Sequence, residues 1–232
     1  MTTSIVVPVR DEGAVIEHLL AALQPARAAG HELIVVDGES ADDTRERAVP
    51  HCDRLLVSPP GRARQLNAGA RVAGGDWLWF LHADSGFPEG VMAALSRLSA
   101  CEGGWGRFDV RLDDPAPVFR VIETAMNWRS RLTGIATGDQ GIFVRRALFE
   151  QVGGFPEIPL MEDLALSERL RRHGWPACLR PPLHTSARRW RRHGVLRTVL
   201  LMWRLRLAWF LGADPAVLAR RYASCSSPTR AS

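Results

Sequence analysis

The sequence predicts an α/β fold: a mostly parallel open sheet flanked by helices on both faces, with a C-terminal amphipathic helical segment. Three observations predict it. Short β-rich runs alternate with helical patterns through the first hundred residues. Those runs are almost continuously apolar, as strands buried on both faces must be. Charge then reverses sign near residue 180, where an arginine-rich apolar tail begins.

Ser4–Val9 reads as the first strand and Ala14–Leu23 as its amphipathic helix. Glu32–Asp37 and Ala41–Ala48 form the next pair, Arg54–Ser58 and Arg62–Val72 the third, and Trp77–Ala83 with Glu89–Ala100 the fourth. Beyond residue 103 the pattern changes: a strand over Gly103–Leu112, a helix over Val118–Leu132, a short strand over Gly141–Val144 and a helix over Glu162–His173. No linker rich in proline and glycine divides the chain, so the second half is expected to complete the same sheet. The division expected is a main domain over 1–190 and a basic helical segment over 191–232.

Composition narrows the class. Hydrophobic residues make up 46% of the chain, enough for a full core and too many for a disordered one. The net charge of +5 is uneven: residues 1–179 hold 19 arginines against 24 carboxylates, and residues 180–232 hold 11 arginines against Asp214 alone. Basicity is therefore a property of the tail, which suits an anionic surface or a phosphorylated ligand better than a dedicated nucleic-acid interface. Cys52, Cys101, Cys178 and Cys225 form no C-x-x-C pair, which fits a reducing compartment. With no basic n-region before the first strand, the expected location is cytoplasmic.

In open α/β sheets, ligands bind beyond the carboxyl ends of the strands. Strand one exits into Pro8-Val9-Arg10-Asp11-Glu12, strand two into Asp37-Gly38-Glu39-Ser40, and strand four into His82-Ala83-Asp84. Each exit delivers a carboxylate to one rim. Any single acid there can equally be a helix cap; three together are better explained by a ligand. Neither G-x-x-x-x-G-K-[ST] nor a G-x-G-x-x-G after the first strand occurs, which excludes a P-loop ATPase and an ordinary dinucleotide-binding dehydrogenase. Arg62 and Arg64 open a helix, where the macrodipole disfavours cations unless an anion binds.

The ordered series Ile5–Glu12, Ile34–Thr44, Gly61–Asn67, Phe80–Asp84, Gly138–Phe143 and Met161-Glu162-Asp163 resembles glycosyltransferase family 2, of the GT-A fold group, over roughly residues 4–212. His82-Ala83-Asp84 with Gly138-Asp139-Gln140 is similar to the bacterial radical SAM/selenodomain-associated transferase 2 subgroup. The resemblance implies a nucleotide-sugar pocket. Asp37 would accept from the base, Pro8 and Glu12 would shape the base and ribose pocket, and Arg62 and Arg64 would neutralise the diphosphate. His82 would reach ribose or phosphate, and Asp139 and Gln140 would lie against the sugar. Asp84 matches the last acid of the family's D-x-D signature and would hold Mg²⁺ or Mn²⁺; His82 replaces the first acid, and His184 is a further candidate ligand. Glu162-Asp163 matches the acidic pair that carries the catalytic base of inverting transfer, and Asp163 takes that role. Arg188-Arg189-Trp190 is similar to the end of the Q-x-x-R-W signature of processive synthases, with Ser186 at the glutamine position; Arg189 and Trp190 would contact diphosphate or acceptor. Without a multi-span channel, the implied activity is transfer of one sugar from a UDP- or GDP-linked donor to an unknown acceptor, a lipid-linked one among the candidates. Two other classes stay open: a sugar-nucleotide nucleotidyltransferase and a non-catalytic membrane-surface binding protein.

Val195–Leu211 contains 13 apolar residues in 17, but it is short for a span and carries Arg197, Arg204 and Arg206. A helix of this kind must cover its apolar surface. Packing on the domain, a homodimer contact and a membrane-surface contact at the inner face of the cell membrane are the alternatives.

Overall fold

The computed structural model describes residues 1–88, 90–95, 98 and 103–226. Seven strands form one sheet in the order β3-β2-β1-β4-β6-β5-β7. They are β1 (Thr3–Val9), β2 (Glu32–Asp37), β3 (Arg54–Val57), β4 (Trp77–Phe80), β5 (Trp105–Leu112), β6 (Phe143–Arg145) and β7 (Ala177–Thr185). Pairing is parallel except where β6 runs against both β4 and β5. The second half thus joins the same sheet, as expected, with one reversed strand. Gly141, at a φ of 58°, turns the chain back into it.

Alternation along the strands explains the layers. Ile5, Val7 and Val9 of β1 point into a cluster with Ile16, Leu19, Leu20 and Leu23 of α1 (Gly13–Ala28). Val6, with Ile34 and Val36 of β2, packs on the opposite face against Ala63, Leu66 and Ala70 of α3 (Arg62–Val72). The chain moves outward from β1 to β2 to β3, and α3 then carries it back to β4 on the other side of β1. This reversal is the topological switch at which open α/β sheets bind ligands.

Several elements differ from expectation in extent. The helix α2 (Thr44–Ala48) starts three residues late, because Asp42 spends its carboxylate on the backbone N–H groups of Gly13 (3.1 Å) and Thr44 (3.1 Å). The strand β4 stops at Phe80, which leaves His82, Ala83 and Asp84 on a turn closed by the Ser85 N–H donating to the His82 carbonyl (3.1 Å). The fourth expected helix is described only as α4 (Val91–Leu95); the rest of it lies largely outside the described residues, as does Cys101. A short helix α6 (Arg146–Gln151) follows β6 and was not anticipated. The remaining helices are α5 (Pro117–Thr133), α7 (Glu162–Leu170), α8 (Arg188–His193), α9 (Val195–Phe210) and α10 (Pro215–Ser226).

One face of α9 packs on the body: Leu205 is buried with Leu164 of α7 and Leu218 of α10, supported by Leu201, Met202 and Trp209. Its other face leaves Leu196, Leu200, Trp203, Leu207 and Phe210 exposed. Among the described residues no helix is long and apolar enough to cross a membrane.

Helix and sheet approach closely at Gly69, where an added Cβ would lie 2.4 Å from Val6 Cγ1. The substitution Gly69→Ala should therefore cost about 1–3 kcal/mol by overpacking, read as a lower urea midpoint at unchanged slope.

Candidate active site

The cleft floor is held by one buried amide. Gln65 of α3 donates from Nε2 to the carbonyls of Val9 (2.8 Å) and Val36 (2.9 Å), tying β1 to β2 where they begin to diverge. Beyond that tie, the two exit loops are stitched together. Asp11 Oδ1 accepts from Ala41 N–H (2.8 Å), Ser40 Oγ from Asp11 N–H (2.9 Å) and Thr44 Oγ1 from Glu12 N–H (2.9 Å). Among the described residues, those other than glycine with positive φ are Asp11, Glu39 and Met161, all in loops bordering this rim. Such conformations cost roughly 1–3 kcal/mol each and gather at functional sites.

Asp37 ends β2 in register with Val9 and is fully buried. Its Oδ2 accepts from Ser40 N–H (3.0 Å) and faces Arg45 at 3.8 Å, while Oδ1 is buried without a partner. A buried acceptor left open costs about 1–3 kcal/mol and is the kind of group a ligand donor completes. Pro8 and Glu12 flank it along β1 and its exit loop.

Arg62, at the start of α3, is the hub of the rim. Its Nη2 lies 3.2 Å from His82 Nδ1, and its Nη1 lies 3.6 Å from Oε1 of buried Glu162. The His82 ring packs on Gly138, where a Cβ would meet Nε2 at 2.5 Å. Burial, and secondarily the Arg62 charge, hold the His82 pKa well below the ordinary imidazole range, so this ring is neutral at pH 7. Glu12 is pushed upward by burial and by the Asp84 charge, against the pull of Arg188 and Arg62. Asp84 is reached by solvent at the cleft mouth yet walled by protein behind; burial raises its pKa, Arg62 and Arg188 lower it, and Asp139 raises it. Groups from two strand exits and three helix starts thus share one electrostatic environment.

The other wall is the tight turn Gly138–Gln140 and the start of α7. Asp163 Oδ2 accepts from Gly138 N–H and Oδ1 from Leu164 N–H, both at 2.8 Å. Met161, left-handed at a φ of 70°, sets the direction in which Glu162 and Asp163 leave the loop. Burial first, then the Asp163 charge, raise the Glu162 pKa, and Arg62 opposes them. A narrow crevice of about 10 Å³ lies between Arg62, His82, Gly138, Glu162 and Asp163. Asp139 has a buried Oδ1 without a partner.

Three expectations are corrected. Gln140 is fully buried and folds back on its own turn, its Oε1 accepting from Thr137 N–H (3.1 Å), so it shapes the turn and does not line the cleft. Arg64 pairs with Glu157 at 3.3 Å on the outside of α3, a solvated pair away from the acids. Trp190 packs in a small cluster with Leu112, Phe119 and Ala187, because the amphipathic turn of α8 needs that apolar anchor. His184 lies within β7 and exchanges backbone bonds with Gly86 (2.8 and 2.9 Å), which pins the Asp84 loop to that strand. The side chain of Arg189 lies outside the described residues.

Two arginines were missed as site residues. Arg188, quoted only as part of a motif, acts by its charge on Glu12 and Asp84. Arg129 of α5 is mostly buried near Asp139 and Asp163, and burial together with Arg206 pushes its pKa down to about 10. The signal for Arg129 was weak: one arginine in an amphipathic helix.

This architecture and rim are of the GT-A type, and the comparisons agree. The family model for Glycosyl transferase family 2 matches residues 4–149, and the chain belongs to that family. A relative described as PGL/p-HBAD biosynthesis glycosyltransferase, from Mycobacterium bovis, is 29% identical over 167 residues, 66% of this chain and 62% of its own. Similar folds include the mannosyltransferase PcManGT from Pyrobaculum calidifontis in complex with GDP-Man and Mn²⁺ (TM-score 0.63, 23% identity, 96% of this chain and 69% of that one). Another is S. aureus TarS 1–349 in complex with UDP-GlcNAc (TM-score 0.63, 17% identity, 80% of this chain and 58% of that one). The chain thus spans less than two thirds of the curated relatives it matches.

Because the Glu162 pKa is raised in the fold, stability from this group is fully present below the ordinary glutamate range. It is lost as pH rises through the raised value. The melting temperature of the wild type relative to Glu162→Gln should fall as pH climbs through that window and level off above it. Melting curves across an acid-to-neutral pH series check this.

Proposed function

We propose that this chain is an inverting glycosyltransferase that moves a single sugar from a UDP- or GDP-linked donor to an acceptor, with Asp163 as general base. The observation that carries this reading is the convergence on Arg62: Glu12, His82, Asp84 and Glu162 all lie within its field, and Asp163 is next to Glu162. A cationic hub among acids from separate elements suits an anionic diphosphate and its metal.

The donor site assembles from these residues. The open Oδ1 of Asp37 accepts from the nucleobase, with Pro8 and Glu12 beside it. Arg62 and Arg188 meet the diphosphate, and Asp139 faces the sugar. Neutral His82 offers a ring nitrogen without adding charge. Asp163, held at both oxygens by backbone N–H groups, is fixed in direction and takes the proton from the acceptor hydroxyl as it attacks the anomeric carbon. The nucleoside diphosphate leaves with the bonding electron pair.

The residues also fit a hard divalent cation. Asp84 has no ion-pair partner among the described residues, like charge from Asp139 works against it, and a buried oxygen of Asp139 is open. Among the described residues no three His, Cys, Asp or Glu side chains form a preassembled metal site. Asp84, with Asp139 or His184 from the strand pinned to its loop, would hold Mg²⁺ or Mn²⁺ together with diphosphate oxygens. Such an ion neutralises charge on the leaving diphosphate.

The exposed apolar residues of α9 lie within about 100° of arc at 100° per residue, with Arg204 on one flank and Arg206 on the other. This pattern supports contact with an anionic membrane surface, at the inner face of the cell membrane, over a homodimer seam.

Asp163→Asn should lower kcat by ~10²–10⁴-fold and leave donor binding intact; unchanged turnover would reject the base assignment. In calorimetry, Asp84→Ala should abolish the Mn²⁺-dependent part of UDP binding. A Mn²⁺ effect of the same size in the variant would remove Asp84 from the metal site.

A further inference from the structure

The strand β5 exits into Asp113 and Asp114, and both bond to the segment that forms α8. The Asp113 N–H donates to the Thr185 carbonyl at the end of β7 (3.1 Å), and its Oδ1 accepts from the Ala187 N–H just before α8 (2.6 Å). Asp114 is buried; its Oδ1 accepts from the Ala116 N–H (3.0 Å) and its Oδ2 from Arg191 Nε of α8 (2.5 Å). The loop that carries both acids is itself held. Arg120 Nη2 donates to the carbonyls of Leu112 and Asp114 (both 2.7 Å), and Glu123 Oε2 accepts from the Leu112 N–H (2.9 Å). Asp114 is thus a fixed point, and Arg191 is tied to it. The Arg191 side chain is 68% exposed, and ion pairs so open to water add little to stability. What the bond supplies is direction.

The helix bound in this way carries Arg188. At about 100° per residue, Trp190 and Arg191 point about 100° apart, and Arg188 lies about 60° beyond Arg191. Trp190 packs with Leu112, Phe119 and Ala187. Apolar packing is non-directional and holds α8 down; the Arg191 bond stops it from rolling. Residues three apart share a helix face, so without Asp114 the Arg191 charge would repel Arg188 and compete with it for an anion. Arg188 itself has no carboxylate within 4.0 Å among the described residues. It follows closely on His184, whose backbone is bonded to Gly86 of the Asp84 loop, and its charge acts on Glu12 and Asp84.

We propose that Asp114 is a positioning residue for the donor diphosphate: by holding Arg191 it sets the roll of α8 and keeps Arg188 turned to the mouth of the cleft. This rests on the transferase reading, in which Arg188 meets the diphosphate.

The test is calorimetry on the full chain with UDP and with uridine, each with Mn²⁺; GDP and guanosine take their place if the wild type prefers guanine. Removing a carboxylate near an anion site strengthens anion binding if charge alone matters. The proposal predicts the opposite sign. Asp114→Asn should weaken UDP by about three- to tenfold and leave uridine, which has no phosphate, unchanged. Arg188→Gln should also weaken UDP alone, and Asp114→Asn added to it should cause no further loss. Arg191→Gln cuts the same bond from its exposed end, so it serves should Asp114→Asn fail to fold. It too should weaken UDP, and have no effect in the Arg188→Gln background. Unchanged or tighter UDP binding in Asp114→Asn overturns the proposal. Equal losses for UDP and uridine do so as well, and so do losses that add in the double variants. A wild type that binds neither UDP nor GDP would instead sink the donor reading, and this proposal with it.

Discussion

The cleft depends on how the ends of two parallel strands are fixed, and a single buried amide ties them to the helix that borders it. The β1–β2 ladder ends with the Gly38 N–H donating to the Val9 carbonyl (2.8 Å). Gln65 adds a second donor to that carbonyl and one to the Val36 carbonyl from α3, and Gly38 leaves room for it: a Cβ there would sit 2.9 Å from the amide nitrogen. Because Gln65 and Arg62 share α3, the element that closes the floor also carries the cation of the rim. Helix position, strand divergence and charge placement are consequently one constraint.

From that constraint follows a division of labour among acids that are alike in composition. Asp11, Asp42 and Asp43 are consumed locally, by backbone N–H groups, Thr44 or Arg47. Asp37, Asp84 and Asp139 are not. The first and third keep a buried oxygen open, and the second has its pKa raised. Local backbone bonding accounts for Asp11 and Asp42, and the second group keeps free the capacity that a ligand would need. Geometry alone separates them, because both uses need a short carboxylate after a strand.

The first half of the fold was legible because its strands are buried on both faces and its helices are short and regular. Glu32–Asp37 and Arg62–Val72 fell where the apolar pattern placed them. The second half was harder to read. β6 has three residues, too few to show a period, and its reversal depends on Gly141. Site residues fared best where they follow a strand, since topology alone puts such positions at the rim. Arg129 could not be found that way. It lies mid-helix, and its burial is created by α9, some seventy residues later. Gln140 and Trp190 failed for the converse reason: polar and aromatic residues near a motif were read as reaching outward, and packing turned both inward.

The two faces of α9 bear on how the parts work together. Its packed face, through Leu205 and its neighbours, reaches the Leu164 side of α7, so the helix braces the element that bears Asp163. Its open face keeps large side chains in water, each worth ~1.5–3 kcal/mol if covered. A helix retained only as a brace gains nothing from that open stripe, and surface polar residues would keep the brace while avoiding the exposure. The same helix thus joins an open apolar stripe to the element that carries Glu162 and Asp163, so anything that covers the stripe also bears on the placement of that acidic pair.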